Sequence, residues 1–353
     1  MSETVSDSRA DAARLLEIVN SAWMPQALRA AAELGVPDLL ADGPRTAADV
    51  AEATGAHAPS LHRLLRALVT IDVLTEDGEG GFALTPMGGL LRADVDGTVR
   101  SWAIYQGRDV WDEWGLMPEA VRTGRSGREI AHGAGGFAPL RDDPRRAATF
   151  NSAMAELTRL SARAVVAGHD FGRYRRVADI GGGYGELLGT ILRAHPGSTG
   201  ILFDLPHAVD AAAGHLDGMG VRDRCEIVSG SFFEEVPTGA DLYVLKSVLH
   251  DWDDDRAAEI LAVVRRAIGP GARLLLVERL MPDRIRAVPE HRLLARADMN
   301  MLVAHAAPER TEGQWRALLG SAGFDVVAVT PIPGAATAIE AVPAVGGVTG
   351  HGR

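Results

Sequence analysis

A chain of 353 residues that is 46% hydrophobic is long enough for two domains with buried cores. Its net charge of −11 speaks against sequence-independent affinity for nucleic acid, which depends on neutralising phosphates. The single cysteine, Cys225, makes no internal disulfide, and no apolar run reaches bilayer length; a cytoplasmic protein with no membrane or nucleic-acid partner is expected.

Residues 1–11 are polar and read as irregular. From Ala12 to Glu33, the positions Leu15, Leu16, Val19, Trp23, Leu28 and Ala31 recur at helical spacing. Thr46 reads as an N-cap with Asp49 three residues on, and Pro59–Ile71 is a periodic helix through Leu61, Leu64, Leu65, Leu68 and Val69. Val73–Thr75, the turn Glu76–Gly81 and Phe82–Leu84 complete a helix-turn-helix with a two-stranded wing. Such a module either reads DNA through its second helix or serves dimerisation. Arg63 and Arg66 lie there among Asp72, Glu76, Asp77 and Glu79, without the basic stripe of a DNA reader, so dimerisation is the reading.

Thr98–Thr123 is a second helical region carrying Trp102, Tyr105, Trp111 and Trp114. Singly each reads as core; together they suit the wall of a pocket for a flat apolar ligand. Gly124–Gly136 is a glycine-rich loop, and Asp143–Ala167 a long helix with Phe150, Met154, Leu157 and Leu160 on one side. From Arg176 strands and helices alternate, with strands at Val177–Ile180, Gly200–Phe203, Cys225–Val228, Leu242–Leu245 and Arg273–Val277. Val326–Thr330 and Ala336–Val342 follow as a hairpin. The pattern predicts an α/β, doubly wound, Rossmann-like sheet with a C-terminal antiparallel hairpin, behind an N-terminal helical winged-helix domain. The expected boundaries are 1–97, 98–167 and 168–353, the middle stretch contributing to the substrate pocket.

The first of these strands runs into Asp179-Ile180-Gly181-Gly182-Gly183-Tyr184-Gly185, a tight turn on which a nucleotide-like ligand can lie against the backbone. Counted from Gly181, the sixth position of G-x-G-x-x-G is Glu186, so the dinucleotide pattern is incomplete. Asp204, closing the second strand, suits two ribose hydroxyls but does not separate a nucleoside from a dinucleotide.

The fourth strand ends in Lys246-Ser247-Val248-Leu249-His250-Asp251-Trp252. Together with Val121-Arg122-Thr123-Gly124, Phe150-Asn151-Ser152-Ala153-Met154, Asp204-Leu205-Pro206 and Glu309-Arg310-Thr311, this segment gives the chain a resemblance to known enzymes over nearly its whole length. It resembles the small-molecule O-methyltransferases of the caffeate and hydroxyindole type and their bacterial relatives that act on aromatic antibiotics. The resemblance implies a homodimer, an aromatic small-molecule substrate, S-adenosylmethionine as cofactor with S-adenosylhomocysteine as product, and no metal. It implies that Asp179, Gly181 and Gly183 hold the amino-acid side of the cofactor and Asp204 the ribose. Leu205, Ser231, Phe232, Lys246 and Trp252 would complete the cofactor site. It further implies His250 as general base, flanked by Glu278 and Glu309, and an acceptor pocket of Trp102, Tyr105, Phe150, Met154, Met299 and Asn300.

The residue types suit that chemistry. A phenol with a pKa of about 10 must lose its proton as it attacks, and an imidazole is a suitable acceptor. A carboxylate on the other ring nitrogen fixes the tautomer and stabilises the imidazolium. No His, Cys and carboxylate cluster has metal-ligand spacing. Apart from the resemblance, a histidine after a strand simply caps or packs, Glu278 and Glu309 are solvated acids, and Lys246 is a surface lysine. Two departures stand out. Ser231 replaces the aspartate that relatives carry after the third strand, and Ala306-Ala307-Pro308, preceded by His305, replaces their Gly-Gly before Glu-Arg. The expected reaction is methyl transfer to a phenolic hydroxyl. The rivals are a hydroxylase or cyclase that binds the same cofactor without methylating, and a ligand-sensing transcription factor, which the acidic balance disfavours.

Overall fold

The computed structural model describes residues 2–141, 143–334 and 336–344. Residues up to Trp111 form one compact unit and those from Asp112 onward a second.

In the first unit the chain is helical from Ser2 to Asn20, so the expectation of an irregular start is corrected. Residues 2–20 contain neither glycine nor proline to break a helix. A second helix, Trp23–Leu34, follows a turn at Ser21, so the periodic stretch is two helices. Thr46 caps Ala47–Thr54 as expected, its hydroxyl accepting from Asp49 N at 3.2 Å and the Asp49 carboxylate accepting from Thr46 N at 3.1 Å. Ala58–Val69 buries Leu61, Leu65 and Leu68 against Phe82. The wing gains a third strand. Residues Arg45–Thr46 (β1) pair with Gly81–Leu84 (β3), which also pairs with Leu74–Glu76 (β2). The Thr98–Thr123 region is interrupted: Arg100–Ile104 is α-helical and Tyr105–Asp109 is a π-helical turn. Its Gly107 carbonyl accepts from Gln26 Nε2 at 2.8 Å and Arg29 Nη1 at 2.9 Å. A Cβ at Gly107 would lie 2.7 Å from Arg29 Cβ, which explains the glycine there.

The second unit is built on seven strands. They are Arg176–Ile180 (β4), Thr199–Asp204 (β5), Cys225–Ser229 (β6), Leu242–Lys246 (β7), Arg273–Glu278 (β8), Phe324–Ile332 (β9) and Ala336–Pro343 (β10). Their order is β6-β5-β4-β7-β8-β10-β9, with β4 to β8 parallel and β10 antiparallel to both β8 and β9. Alternation divides each central strand between two cores. Ala178, Ile180, Tyr243, Leu245, Leu274 and Leu276 face one side, while Val177, Leu242, Val244, Leu275 and Val277 face the other. The chain winds from β4 out to β6, then returns to β7 on the other side of β4. That reversal is the topological switch point, where parallel sheets bind ligands beyond the carboxyl ends of their strands. Because Asp179 of β4 is in register with Val244 of β7, the glycine turn and the Lys246–Trp252 segment emerge side by side. Among the described residues, no helix is long and apolar enough to cross a membrane.

Candidate active site

The turn after β4 is shaped by glycines that adopt left-handed backbone, with φ of 74° at Gly181, 57° at Gly183 and 83° at Gly185. A Cβ at Gly181 would lie 2.7 Å from Val248, and one at Gly182 would lie 2.8 Å from the Asp179 carboxyl. The turn therefore tolerates no side chains on its inner side. Asp204 ties it to β5, accepting from Gly183 N at 2.8 Å through one oxygen and from Leu205 N at 2.6 Å through the other. Glu186, where a dinucleotide fold has glycine, is held by Arg159 and His215, each at 2.9 Å.

Asp179 is buried and its Oδ2 has no hydrogen-bond partner among the described residues. Burial, opposed by Lys246, pushes this acid up to about 7. Trp252 Nε1 is likewise buried without a partner, and its ring meets Phe233 and Phe232 edge-on at 4.7 and 6.0 Å. The Ser231 hydroxyl accepts from Phe233 N at 3.3 Å. Lys246 reaches Thr158 Oγ1 at 3.2 Å, and burial, with Arg279 nearby, lowers it to about 8. An unpartnered buried carboxylate beside an open glycine turn fits a ligand ammonium, and Asp204 on the next strand end fits hydroxyl donors. The residues present thus suit the amino-acid and ribose portions of S-adenosylmethionine.

His250 sits on the short turn Leu249–Asp251 that follows β7. Ser247, with φ of 53°, bends the chain so that Val248 N and Leu249 N both donate to Glu278 Oε1 at 3.2 Å. Glu278 thus fixes the backbone that carries the histidine; its other oxygen is unpartnered among the described residues, and burial raises it to about 7. The ring itself meets Glu309: Nδ1 lies 3.1 Å from Glu309 Oε1. Burial pushes Glu309 upward, but His250, Arg279 and Arg310 outweigh it and hold the carboxyl below its usual range. Burial opposes charge on His250, yet Asp251, Glu278 and Glu309 prevail and push it up to about 9.

Arg310 carries no role in the sequence reading beyond belonging to the Glu309-Arg310-Thr311 motif. In the structure it is fully buried and clamps the same turn, donating to Leu249 O at 3.0 Å and Trp252 O at 2.7 Å, with Asp254 on its Nε at 2.8 Å. Phe137, which follows the stretch Gly124–Gly136, was also missed; that stretch was expected as a loop but carries the helix Gly127–His132. Its ring lies 5.8 Å from Phe150, 6.2 Å from Trp252 and 5.1 Å from His305. On that helix Arg128 pairs with Glu113 at 3.1 Å, and both are buried. Phe150 and Met154 lie on the helix Pro144–Gly168, Met299 and Asn300 on Pro289–Ala304, all partly exposed. Trp102 and Tyr105 belong to the first unit, with ring centroids 6.0 Å apart.

Comparison with known proteins agrees with this chemistry. The O-methyltransferase domain family matches residues 114–325, and the O-methyltransferase dimerisation domain matches residues 16–94. A phenazine O-methyltransferase of Lysobacter antibioticus is 40% identical over 93% of this chain and 95% of its own length. The mitomycin biosynthesis 6-O-methyltransferase of Streptomyces lavendulae is 39% identical over 88% of each. The crystal structure of human N-acetylserotonin methyltransferase in complex with S-adenosylmethionine superposes with a TM-score of 0.87 at 30% identity, covering 95% of this chain and 98% of that one. Relatives that methylate nitrogen also occur among the matches.

Proposed function

Since the chain belongs to the O-methyltransferase family, we propose that it moves a methyl group from S-adenosylmethionine to a phenolic hydroxyl of an aromatic natural product, with His250 as general base. The observation that supports this most is the 3.1 Å contact between His250 Nδ1 and Glu309. An ionised Glu309 keeps the proton on Nδ1, so the nitrogen available to take a proton is Nε2. When bound, S-adenosylmethionine supplies an electrophilic methyl on a sulfonium. The chain's task is to hold the acceptor oxygen in line with it and remove the proton. The O–H bond breaks toward His250 Nε2 as the O–CH3 bond forms, and S-adenosylhomocysteine leaves. A base at about 9 is close to a phenol at about 10, so the transfer is nearly balanced. Only a small fraction of His250 is neutral at pH 7, which is the cost of that strength.

Asp179, Gly181, Gly183, Asp204, Leu205, Ser231, Phe232, Lys246 and Trp252 are proposed to hold the cofactor. Within the second unit, Phe150, Met154, Met299 and Asn300 are proposed to contact the acceptor. The division at 97/98 and 167/168 belongs to the same reading. The test is incubation with S-adenosylmethionine and a panel of phenols, hydroxynaphthoates and hydroxyphenazines, followed by mass spectrometry. A product one CH2 heavier than its acceptor, with equimolar S-adenosylhomocysteine, is expected. A product gaining oxygen, or cyclised without gaining a methyl, would overturn the proposal.

A further inference from the structure

Nε2 of His250, the nitrogen left open by the Glu309 contact, lies 3.5 Å from Oδ1 of Asp251. The same oxygen lies 3.3 Å from Nε2 of His305, a residue 54 positions further along that ends the helix Pro289–Ala304. The His305 backbone N–H returns to Met301 O at 2.8 Å, and Ala306 then turns the chain with φ of 59°. Left-handed backbone is strained for an L-residue. The strained residue stands between His305, which faces Asp251, and Glu309, which faces His250. One turn therefore delivers two side chains to the two ends of a single pair.

We propose that His305 is a positioning residue for the His250–Asp251 pair: it presents Nε2–H to Oδ1 of Asp251 and keeps that carboxylate charged beside Nε2 of His250. The inference rests on the reading of His250 as the base, whose working pH it would set. The charged groups around His305 are Asp251, Arg128 and His250. Burial first, then Arg128 and His250, hold its ring well below the ordinary histidine range, so it is neutral. A neutral imidazole has one N–H, and a bare lone pair facing a carboxylate would repel it, so the proton belongs on Nε2. Arg128 is itself answered by Glu113, which also takes Arg146 at 2.6 Å and His132 at 3.2 Å. Asp251 faces His250, Glu309, Arg128 and His305, and burial raises it to about 6. Stripped of a donor, such a buried acid takes up a proton, and His250 then loses a charge that favours its own. The other groups on His250 are Glu278 and Glu309, the latter with Arg279 at 3.7 Å.

The experiment is an NMR pH titration of full-length protein carrying isotope-labelled histidine, saturated with S-adenosylhomocysteine. The His250 signal is identified by its loss in His250→Gln. Asp251→Asn and His305→Phe are each expected to lower the His250 midpoint by about one pH unit. The phenylalanine retains the ring that packs on Phe137, and His305→Leu replaces it should the first variant not fold. His305→Gln, which keeps a side-chain N–H, is expected to stay within about 0.3 unit of the parent. An unchanged midpoint in the apolar His305 variants overturns the proposal, as does a glutamine variant that falls as far as they do. Failure of the base reading is separate: it appears as preserved turnover in His250→Gln, whatever the titration shows.

Discussion

At the scale of single residues, the site joins strong ionisation effects to close packing. His250 is buried among Asp251, Glu278 and Glu309, and its ring is pushed up to about 9. Since the base must be neutral, kcat/KM with a phenolic acceptor is predicted to climb with pH through neutrality and to level off only near pH 9, measured with saturating S-adenosylmethionine. A profile already flat at pH 7 would show that the carboxylates do not govern this histidine in the working enzyme. The histidine and its motif were legible in the sequence, and so was the serine at 231. What was not legible is how the neighbours act. Glu278, expected beside the ring and acting on its charge, also accepts hydrogen bonds from the Val248 and Leu249 amides. Arg310 binds carbonyls 58 and 61 positions away, a separation that leaves no local signature.

At the scale of elements, β4 and β7 lie side by side because the sheet reverses its winding between them, and that brings the glycine turn next to the His250 turn. Strand and helix alternation was readable from hydrophobic runs broken by glycine, and the late hairpin was placed within a few residues of β9 and β10. Periodicity alone misses interruptions set by tertiary contacts, such as the π-helical turn whose Gly107 carbonyl is claimed by Gln26 and Arg29. The turn into Glu309 is strained at a residue that is not glycine. Ala306 there takes left-handed backbone, with φ of 59°. Ala306→Gly is predicted to stabilise the protein by up to about 1 kcal/mol, the relief of strain exceeding the added unfolded-state entropy. A urea midpoint that falls in this variant would mean that alanine at this position is not strained.

At the scale of the molecule, the dimerisation domain supports a homodimer. The helix Ser2–Asn20 carries Leu15, Leu16, Ile18 and Val19, each about 60% exposed or more within a single chain (62%, 59%, 62% and 66%). Leu15 and Val19 are four residues apart and share a face of this helix. Burying what two such side chains still expose in a second copy is worth roughly 2–4 kcal/mol per protomer. Leu15→Glu combined with Val19→Glu is therefore predicted to shift the protein to monomer in sedimentation velocity. A double variant that sediments as the parent does would place the interface elsewhere.

The role of His250 as the base is tested most directly by comparing His250→Gln with the parent on one acceptor. Single-turnover rates would be measured by release of S-adenosylhomocysteine, with its affinity for each protein measured by calorimetry. The rate is expected to be lower by about 10²–10⁴-fold, the usual contribution of a positioned base, with cofactor affinity nearly unchanged. A variant that binds the cofactor normally and turns over at close to the parent rate at neutral pH would contradict it.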